Sequence, residues 1–194
     1  MARVLCTGAK GFIGKHLMAA MPDAIPCDVD TQEIEGPFDG IIHLAAISRV
    51  RDAEADRIKA LETNILFTAQ LLEFKPRWFL FASTCEAPTN VYGYSKRAAE
   101  DYIKLRHPRH IIMRLANVYG PGMAVDKLLP KALGGAAINP AALPFEYVHV
   151  SDVVKHIGFL ISEFDRPDFR SYTMKLSSGT AKTKEELLSV AASY

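Results

Sequence analysis

The sequence predicts an α/β protein built on a doubly wound parallel sheet. Short runs rich in Val, Ile and Phe alternate with stretches of helical period, the pattern of strands joined by crossover helices. A glycine-spaced turn, Thr7-Gly8-Ala9-Lys10-Gly11-Phe12-Ile13-Gly14, stands between the first apolar run and the first helical stretch. The segment 134–144 is rich in Ala, Gly and Pro and has no convincing period, so it reads as a loop or a reduced excursion.

The elements follow in order. Strands are expected at 3–6, 24–27, 40–44, 78–82, 110–115, 146–149 and 172–176. Helices are expected at 12–20, 53–74, 92–105, 151–164 and 183–192. The longest helical pattern places Ile58, Leu61, Ile65, Ala69 and Leu72 at steps of three and four, and Pro76 follows its end. Asp152 and Thr183 read as residues at helix starts, the latter followed by Glu185-Glu186. With 194 residues and no linker or repeat, the chain reads as one domain over 1–194.

Composition sets outer bounds. Hydrophobic residues are 49% and charged residues 23%, as in soluble globular proteins. A net charge of +1 gives no electrostatic reason to expect nucleic acid or an acidic membrane as a partner. Cys6, Cys27 and Cys85 have no paired spacing for a metal, and an odd, sparse set reads as reduced thiols. The first residues enter a strand at once, without the pattern of a signal peptide, and no apolar run approaches the ~20 residues of a membrane span. The expectation is a cytoplasmic protein without a metal.

The glycine turn carries the first chemistry. A strand that feeds such a turn and then a helix can cradle a dinucleotide pyrophosphate. Of Gly8, Gly11 and Gly14, one allows the tight turn, one the approach of backbone to phosphate and one the close packing of helix on strand. The helix start, Phe12-Ile13, adds unpaired N–H groups and a positive dipole end. Asp28, at the end of the second strand, can bind both adenosine ribose hydroxyls and repel a 2′-phosphate, which favours NAD over NADP. Asp30 is a rival for that place, and Lys10 could instead pair with a 2′-phosphate.

The second chemistry lies at Tyr92-Gly93-Tyr94-Ser95-Lys96. Tyr92 and Lys96 are four apart and share a helix face. An ammonium beside a phenol favours the phenolate, which lowers its pKa and suits proton transfer near neutrality. Such pairs also occur on ordinary solvated helices. Ser83-Thr84 ends the run Trp78 to Ala82, which places the Thr84 hydroxyl at the C-terminal end of a strand, where open parallel sheets bind ligands.

These segments, taken in order, resemble the extended short-chain dehydrogenase/reductases, the NAD-dependent sugar epimerase/dehydratase group. The matching segments are Thr7 to Gly14, His43-Leu44-Ala45-Ala46, Asn64, and the set Thr84, Tyr92 and Lys96. Arg114-Leu115-Ala116-Asn117-Val118-Tyr119-Gly120-Pro121-Gly122 and Tyr147-Val148-His149-Val150-Ser151-Asp152-Val153 complete them. The resemblance implies a Rossmann-like sheet with a much reduced C-terminal substrate-binding region, around 121–147 and 165–194. It implies NAD held by Gly8, Lys10, Gly11, Phe12, Ile13, Gly14, Asp28, Leu44, Ala45, Ala46, Asn64 and Lys96. It implies a sugar nucleotide near Ser83, Thr84 and Asn117, oxidised transiently while Tyr92 removes a hydroxyl proton, Lys96 lowers the tyrosine pKa and Thr84 positions the hydroxyl. Glu86, in Ser83-Thr84-Cys85-Glu86, resembles the glutamate that deprotonates beside the transient ketone in dehydratases; a solvated loop glutamate is the alternative. Cys85 stands where dehydratases often carry an acidic aspartate, which puts standard 4,6-dehydration in doubt.

The chain also departs from the family pattern. Thr84 and Tyr92 are only eight positions apart, a stretch that reaches roughly 25 Å when extended, with Tyr94 as the alternative phenol. Phe145 stands near the place of a frequent arginine, with Lys127 and Lys131 as possible substitutes. Two readings therefore stand beside the epimerase/dehydratase: a reductase of a small carbonyl compound, and a non-catalytic dinucleotide-binding or redox-sensing module. The family also suggests a homodimer formed through the helices at 52–74 and 92–105.

Overall fold

The computed structural model describes residues 2–28, 31, 33–124, 145–179, 181–182, 186 and 189. Its centre is a six-stranded, all-parallel sheet in the order β2-β1-β3-β4-β5-β8. The strands are β1 (Val4–Thr7), β2 (Ile25–Cys27), β3 (Gly40–His43), β4 (Trp78–Thr84), β5 (His110–Leu115) and β8 (Tyr172–Leu176). Apolar residues on successive positions of a strand go to opposite faces, which is why these strands read as continuous apolar runs.

One face packs Val4, Cys6, Ile42, Leu80, Ala82 and Met113 against Leu17 of α1 (Phe12–Ala20) and Val153, Ile157 and Leu160 of α6 (Val150–Glu163). The other packs Leu5, Ile41, Phe79, Phe81 and Ile112 against Leu71 and Leu72 of α4 (Phe67–Glu73) and Ala99 and Ile103 of α5 (Val91–Arg106). Between β2 and β3 the chain crosses that second face with no helix among the described residues; Phe38 is buried there and Ile34 packs beside it. A second small sheet, in the order β6-β7-β9, joins β6 (Asn117–Tyr119), β7 (Phe145–His149) and β9 (Ala181–Lys182). Sequence reading did not include β6 or β9, which are three and two residues long.

The predicted helix over 53–74 is four pieces. After α2 (Val50–Ala55), Asp56 leaves helical geometry at φ −135°, ψ 85°, and its carboxylate accepts the Lys59 N–H at 3.0 Å, capping α3 (Arg57–Leu61). Aspartate suits a cap better than a helix interior because it bonds the free N–H groups of a new first turn. A π-helical turn, Glu62–Leu66, then leads into α4. The buried face differs from the apolar stripe. Ala53, Ala60, Asn64, Thr68 and Leu71 point inward, whereas Ile58 is 67% exposed.

His149 caps α6, and Asp152 sits in its first turn, at the helix start as expected. Of the expected helix at 183–192 only Glu186 and Ser189 are described, both helical; Thr183, Asp30, Lys127, Lys131, the 134–144 segment and the Phe145 side chain lie outside the described residues.

Candidate active site and cofactor cradle

Sheet order decides where a ligand can enter. β1 connects outward to β2, and the chain then returns to β3 on the other side of β1, so the C-terminal ends of β1 and β3 border the switch-point crevice of an open parallel sheet. Gly8 leaves β1 at φ +71°, and a Cβ there would stand 2.8 Å from the Ala45 backbone nitrogen beyond β3. A Cβ on Gly14 would lie 2.0 Å from the Gly8 carbonyl oxygen and 2.8 Å from the Ala9 backbone. The loop and the first turn of α1 therefore pack at glycine distance, as the spacing predicts. No side chain caps α1 at Gly11, which leaves its first N–H groups available to an anion.

Asp28 extends from β2 to this loop, where its Oδ2 accepts the Lys10 backbone N–H at 2.7 Å, and the Thr31 hydroxyl accepts the Asp28 N–H at 2.8 Å. An acid held beside the glycine loop is placed for a ribose. Gly8, Gly11, Gly14, the uncapped α1 start and Asp28 thus fit a dinucleotide, and Leu44, Ala45 and Ala46 form the opposite, half-buried wall.

A buried polar chain supports that wall. The Ala45 N–H donates to the Thr7 hydroxyl at 3.3 Å, Thr7 Oγ1 lies 2.6 Å from His43 Nδ1, and His43 Nε2 lies 2.9 Å from the Thr68 hydroxyl. Thr68 donates to the Asn64 carbonyl at 2.9 Å. Asn64 was expected to contact the cofactor, but it is fully buried and holds protein instead. Its Oδ1 accepts the Ile47 N–H at 2.9 Å, and its Nδ2 donates to the Ile47 carbonyl and to the Ser95 hydroxyl. Ser95 in turn donates to the Tyr92 carbonyl at 2.9 Å. The cofactor wall and the first turn of α5 are thereby joined.

That turn carries the phenol. Asn90 caps α5, accepting the Gly93 N–H at 2.8 Å, while its amide donates to Glu86 at 3.0 Å. Thr84, at the last position of β4, accepts the Glu86 N–H at 3.1 Å, and its hydroxyl is near enough to the Tyr92 phenol to favour the phenolate. The eight-residue stretch therefore reaches, and Tyr94, at 59% exposed, points away.

Lys96 is buried with its Nζ 3.9 Å over the Phe81 ring. Burial drives the Lys96 pKa down to about 7, against the opposing pull of Glu100. The Tyr92 phenol departs from expectation. Burial raises it above its ordinary value, Thr84 opposes that, and Glu86 and Cys85 raise it further. Lys96 faces Phe81, so the predicted lowering by its ammonium is not the dominant effect.

Ser83 also departs from expectation. It follows Phe79 and Phe81 onto the face of α5, where its hydroxyl donates to the buried Glu100 at 2.5 Å instead of facing a substrate. Glu100 binds Arg114 through both carboxylate oxygens, and burial of the carboxyl is outweighed by those bonds, leaving its pKa low. Asn117 is exposed at the start of β6, and Glu86 is exposed beside Thr84. A recess of about 560 Å³ lies elsewhere, between α6 and β8, beside Phe159, Tyr172 and Met174. Its apolar lining carries none of this chemistry.

Sequence reasoning placed Thr7, His43 and Ser95 inside its motifs without giving them roles, and missed Thr68, Glu100 and Asn90. Thr7 and His43 gave one sign: they are polar positions ending otherwise apolar strands, directly paired in register.

The family described as NAD dependent epimerase/dehydratase matches residues 28–173. The chain belongs to the NAD-dependent epimerase/dehydratase family. Among its relatives is the dTDP-D-glucose 4,6-dehydratase of Dictyostelium discoideum, 30% identical over 82% of this chain and 55% of that protein. A UDP-2-acetamido-2,6-beta-L-arabino-hexul-4-ose reductase of Pseudomonas aeruginosa is 32% identical over 61% of this chain and 36% of its own length. The chain thus spans about half, or less, of these two relatives. The solved structure of MoeE5 in complex with UDP-glucose and NAD superposes with a TM-score of 0.84 at 24% identity, covering 98% of this chain and 81% of that one. This likeness confirms the Rossmann-like parallel fold.

Proposed function

We propose that this family member binds NAD and acts on a sugar nucleotide by transient oxidation, as an epimerase/dehydratase-type enzyme. The observation that carries the reading is the contact of Thr84 with the Tyr92 phenol, on a helix turn tied through Asn64 to the segment beside the glycine cradle. A binding module has no need of a phenol placed in this way. Bound NAD would supply a hydride acceptor. Tyr92 exchanges the substrate hydroxyl proton, Thr84 holds the phenol and that hydroxyl, and Lys96 supplies positive charge from the buried side of the same helix. Glu86, exposed next to Thr84, is the base for a proton beside a ketone. Asp28 favours NAD over NADP.

One observation favours a second reading, a carbonyl reductase. Burial of Tyr92 disfavours the phenolate, and the neutral phenol is the form that donates a proton to a forming alkoxide. The relatives named above include both a dehydratase and a reductase, and those activities are theirs.

A homodimer through the exposed residues Ile58, Leu66, Tyr94 and Leu105 accompanies the first reading. The three free cysteines suit a reducing cytoplasm. No helix among the described residues is long and apolar enough to cross a membrane.

A thermal-shift titration with NAD⁺, NADH, NADP⁺ and NADPH, alone and with UDP-, dTDP- and GDP-sugars, tests the function. Ligand at 100 times its Kd stabilises by about 2.7 kcal/mol, enough to raise the midpoint visibly. A larger shift with NAD than with NADP, increased by a nucleotide sugar, is expected. A shift with NADPH and no response to nucleotide sugars selects the reductase, and no shift with any dinucleotide refutes both.

A further inference from the structure

We propose that His43 is a positioning residue, held as the neutral Nε2–H tautomer, that links the dinucleotide cradle to the helix turn bearing Tyr92. The inference rests on the NAD-binding reading above and adds to it a residue that touches neither cofactor nor substrate.

Donor counting fixes the tautomer. The Thr68 hydroxyl spends its one proton on the Asn64 carbonyl, so toward His43 it can only accept, and the proton of the ring lies on Nε2. Nδ1 is then an acceptor, and the Thr7 hydroxyl donates to it. The Thr7 oxygen is left to accept the Ala45 N–H. Every proton in the chain from Ala45 to Asn64 has one direction, and reversing any link leaves a buried donor without an acceptor.

The surroundings keep the ring neutral. It is fully buried against the Phe67, Phe79 and Phe81 rings, with centroids 5.6, 6.0 and 5.4 Å away. Lys96 approaches from α5, Thr7 lies on β1 and Thr68 on α4, and among the described residues no carboxylate bonds the ring. Burial first, and the Lys96 charge second, hold its pKa well below the usual histidine value.

The consequence is geometric. Ala45 is the residue whose backbone nitrogen meets Gly8 at glycine distance, so the pull of Thr7 on that N–H sets the width of the cradle. At the other end, Asn64 holds Ile47 and, through Ser95, the Tyr92 carbonyl. Loss of the ring's polarity should therefore weaken the dinucleotide while leaving the hydrophobic packing in place.

The test compares His43→Phe, which fills the aromatic site, with His43→Asn, whose side-chain oxygen can replace the Nδ1 acceptor. NAD⁺ affinity is measured by calorimetry, and the wild-type ring is observed in long-range proton–nitrogen spectra of protein labelled in histidine, with His43→Asn assigning the signal. The expected results are a Kd for NAD⁺ raised roughly tenfold or more by His43→Phe, partial recovery in His43→Asn, and an Nε2–H signal at pH 7. Unchanged affinity in a folded His43→Phe, or an Nδ1–H or doubly protonated ring, overturns the proposal. If His43→Phe does not fold, the spectrum decides by the same criterion. A wild-type chain that binds no dinucleotide overturns the functional reading and this inference together; wild-type binding matched by His43→Phe overturns this inference alone.

Discussion

At the scale of single residues, Tyr92 and Lys96 make separable contributions. Tyr92→Phe removes one hydroxyl at the end of β4 and none of the cradle, so dinucleotide affinity should hold while turnover falls by at least ~10²-fold, the lower range for a lost acid–base group. Steady-state kinetics beside a binding titration checks this, and retained turnover would move the proton transfer to another group. Lys96 instead acts against stability. The lysine keeps 10.5 as its ordinary value and about 7 in the fold. Between those values the unfolded chain binds a proton that the folded chain does not, so stability falls as pH drops from 10.5 to 7. Lys96→Met should abolish that slope and stabilise the ligand-free protein at pH 7 by roughly 1–3 kcal/mol. Urea unfolding at pH 7 and pH 9.5 measures both effects, and parallel profiles for the two proteins would exclude a buried, depressed lysine.

The site residues legible in the sequence were those with one dominant use. Glycines at a strand–helix turn have few alternatives, and Gly8, Gly11 and Gly14 stand where their spacing puts them. For Ser83 and Asn64 the sequence did not reveal the protein groups they bond. A hydroxyl or amide bonds whatever the packing brings to it, and the sequence does not state that Glu100 or Ile47 will be there. The direction of the Tyr92 shift failed for a related reason. Spacing puts Lys96 on the same helix face, but it does not reveal that the ammonium turns to the Phe81 ring.

Elements pose a different problem. The strands were readable because both faces of the sheet are covered, which makes each one an apolar run bounded by breakers. The helical run from Val50 to Glu73 was readable only in outline. Its strongest apolar repeat, beginning at Ile58, points partly outward, while its inward face spends Asn64 and Thr68 on the polar chain. Periodicity counts apolar residues and so could not show that part of the inward face is polar. The junction of β1, its loop and α1 allows a sharper prediction. Gly14→Ala places a methyl group 2.0 Å from a backbone oxygen that cannot move aside without opening the Gly8 turn. The loss should be about 2 kcal/mol or more, seen as a melting midpoint several degrees lower. A midpoint within one degree of wild type would mean that the loop adapts freely.

For the whole molecule, the outward repeat supports the proposed assembly. Ile58 and Leu66, with Tyr94 and Leu105 of the neighbouring α5, leave apolar surface on one helical layer, and a net charge of +1 offers little repulsion between copies. Sedimentation at micromolar concentration should give a dimer, and the double variant Ile58→Lys, Leu66→Lys a monomer. A monomeric wild type would remove the homodimer from the reading.

β2 shows how the sheet avoids the wrong kind of association. Among the described residues it pairs with β1 alone, it is three residues long, and its middle residue is Pro26. An outermost strand normally presents a row of open donors and acceptors that can template a foreign strand. Proline removes one donor, and three residues give too short a ladder to hold a visitor. Growth of the sheet by addition of another chain at this side is thereby disfavoured.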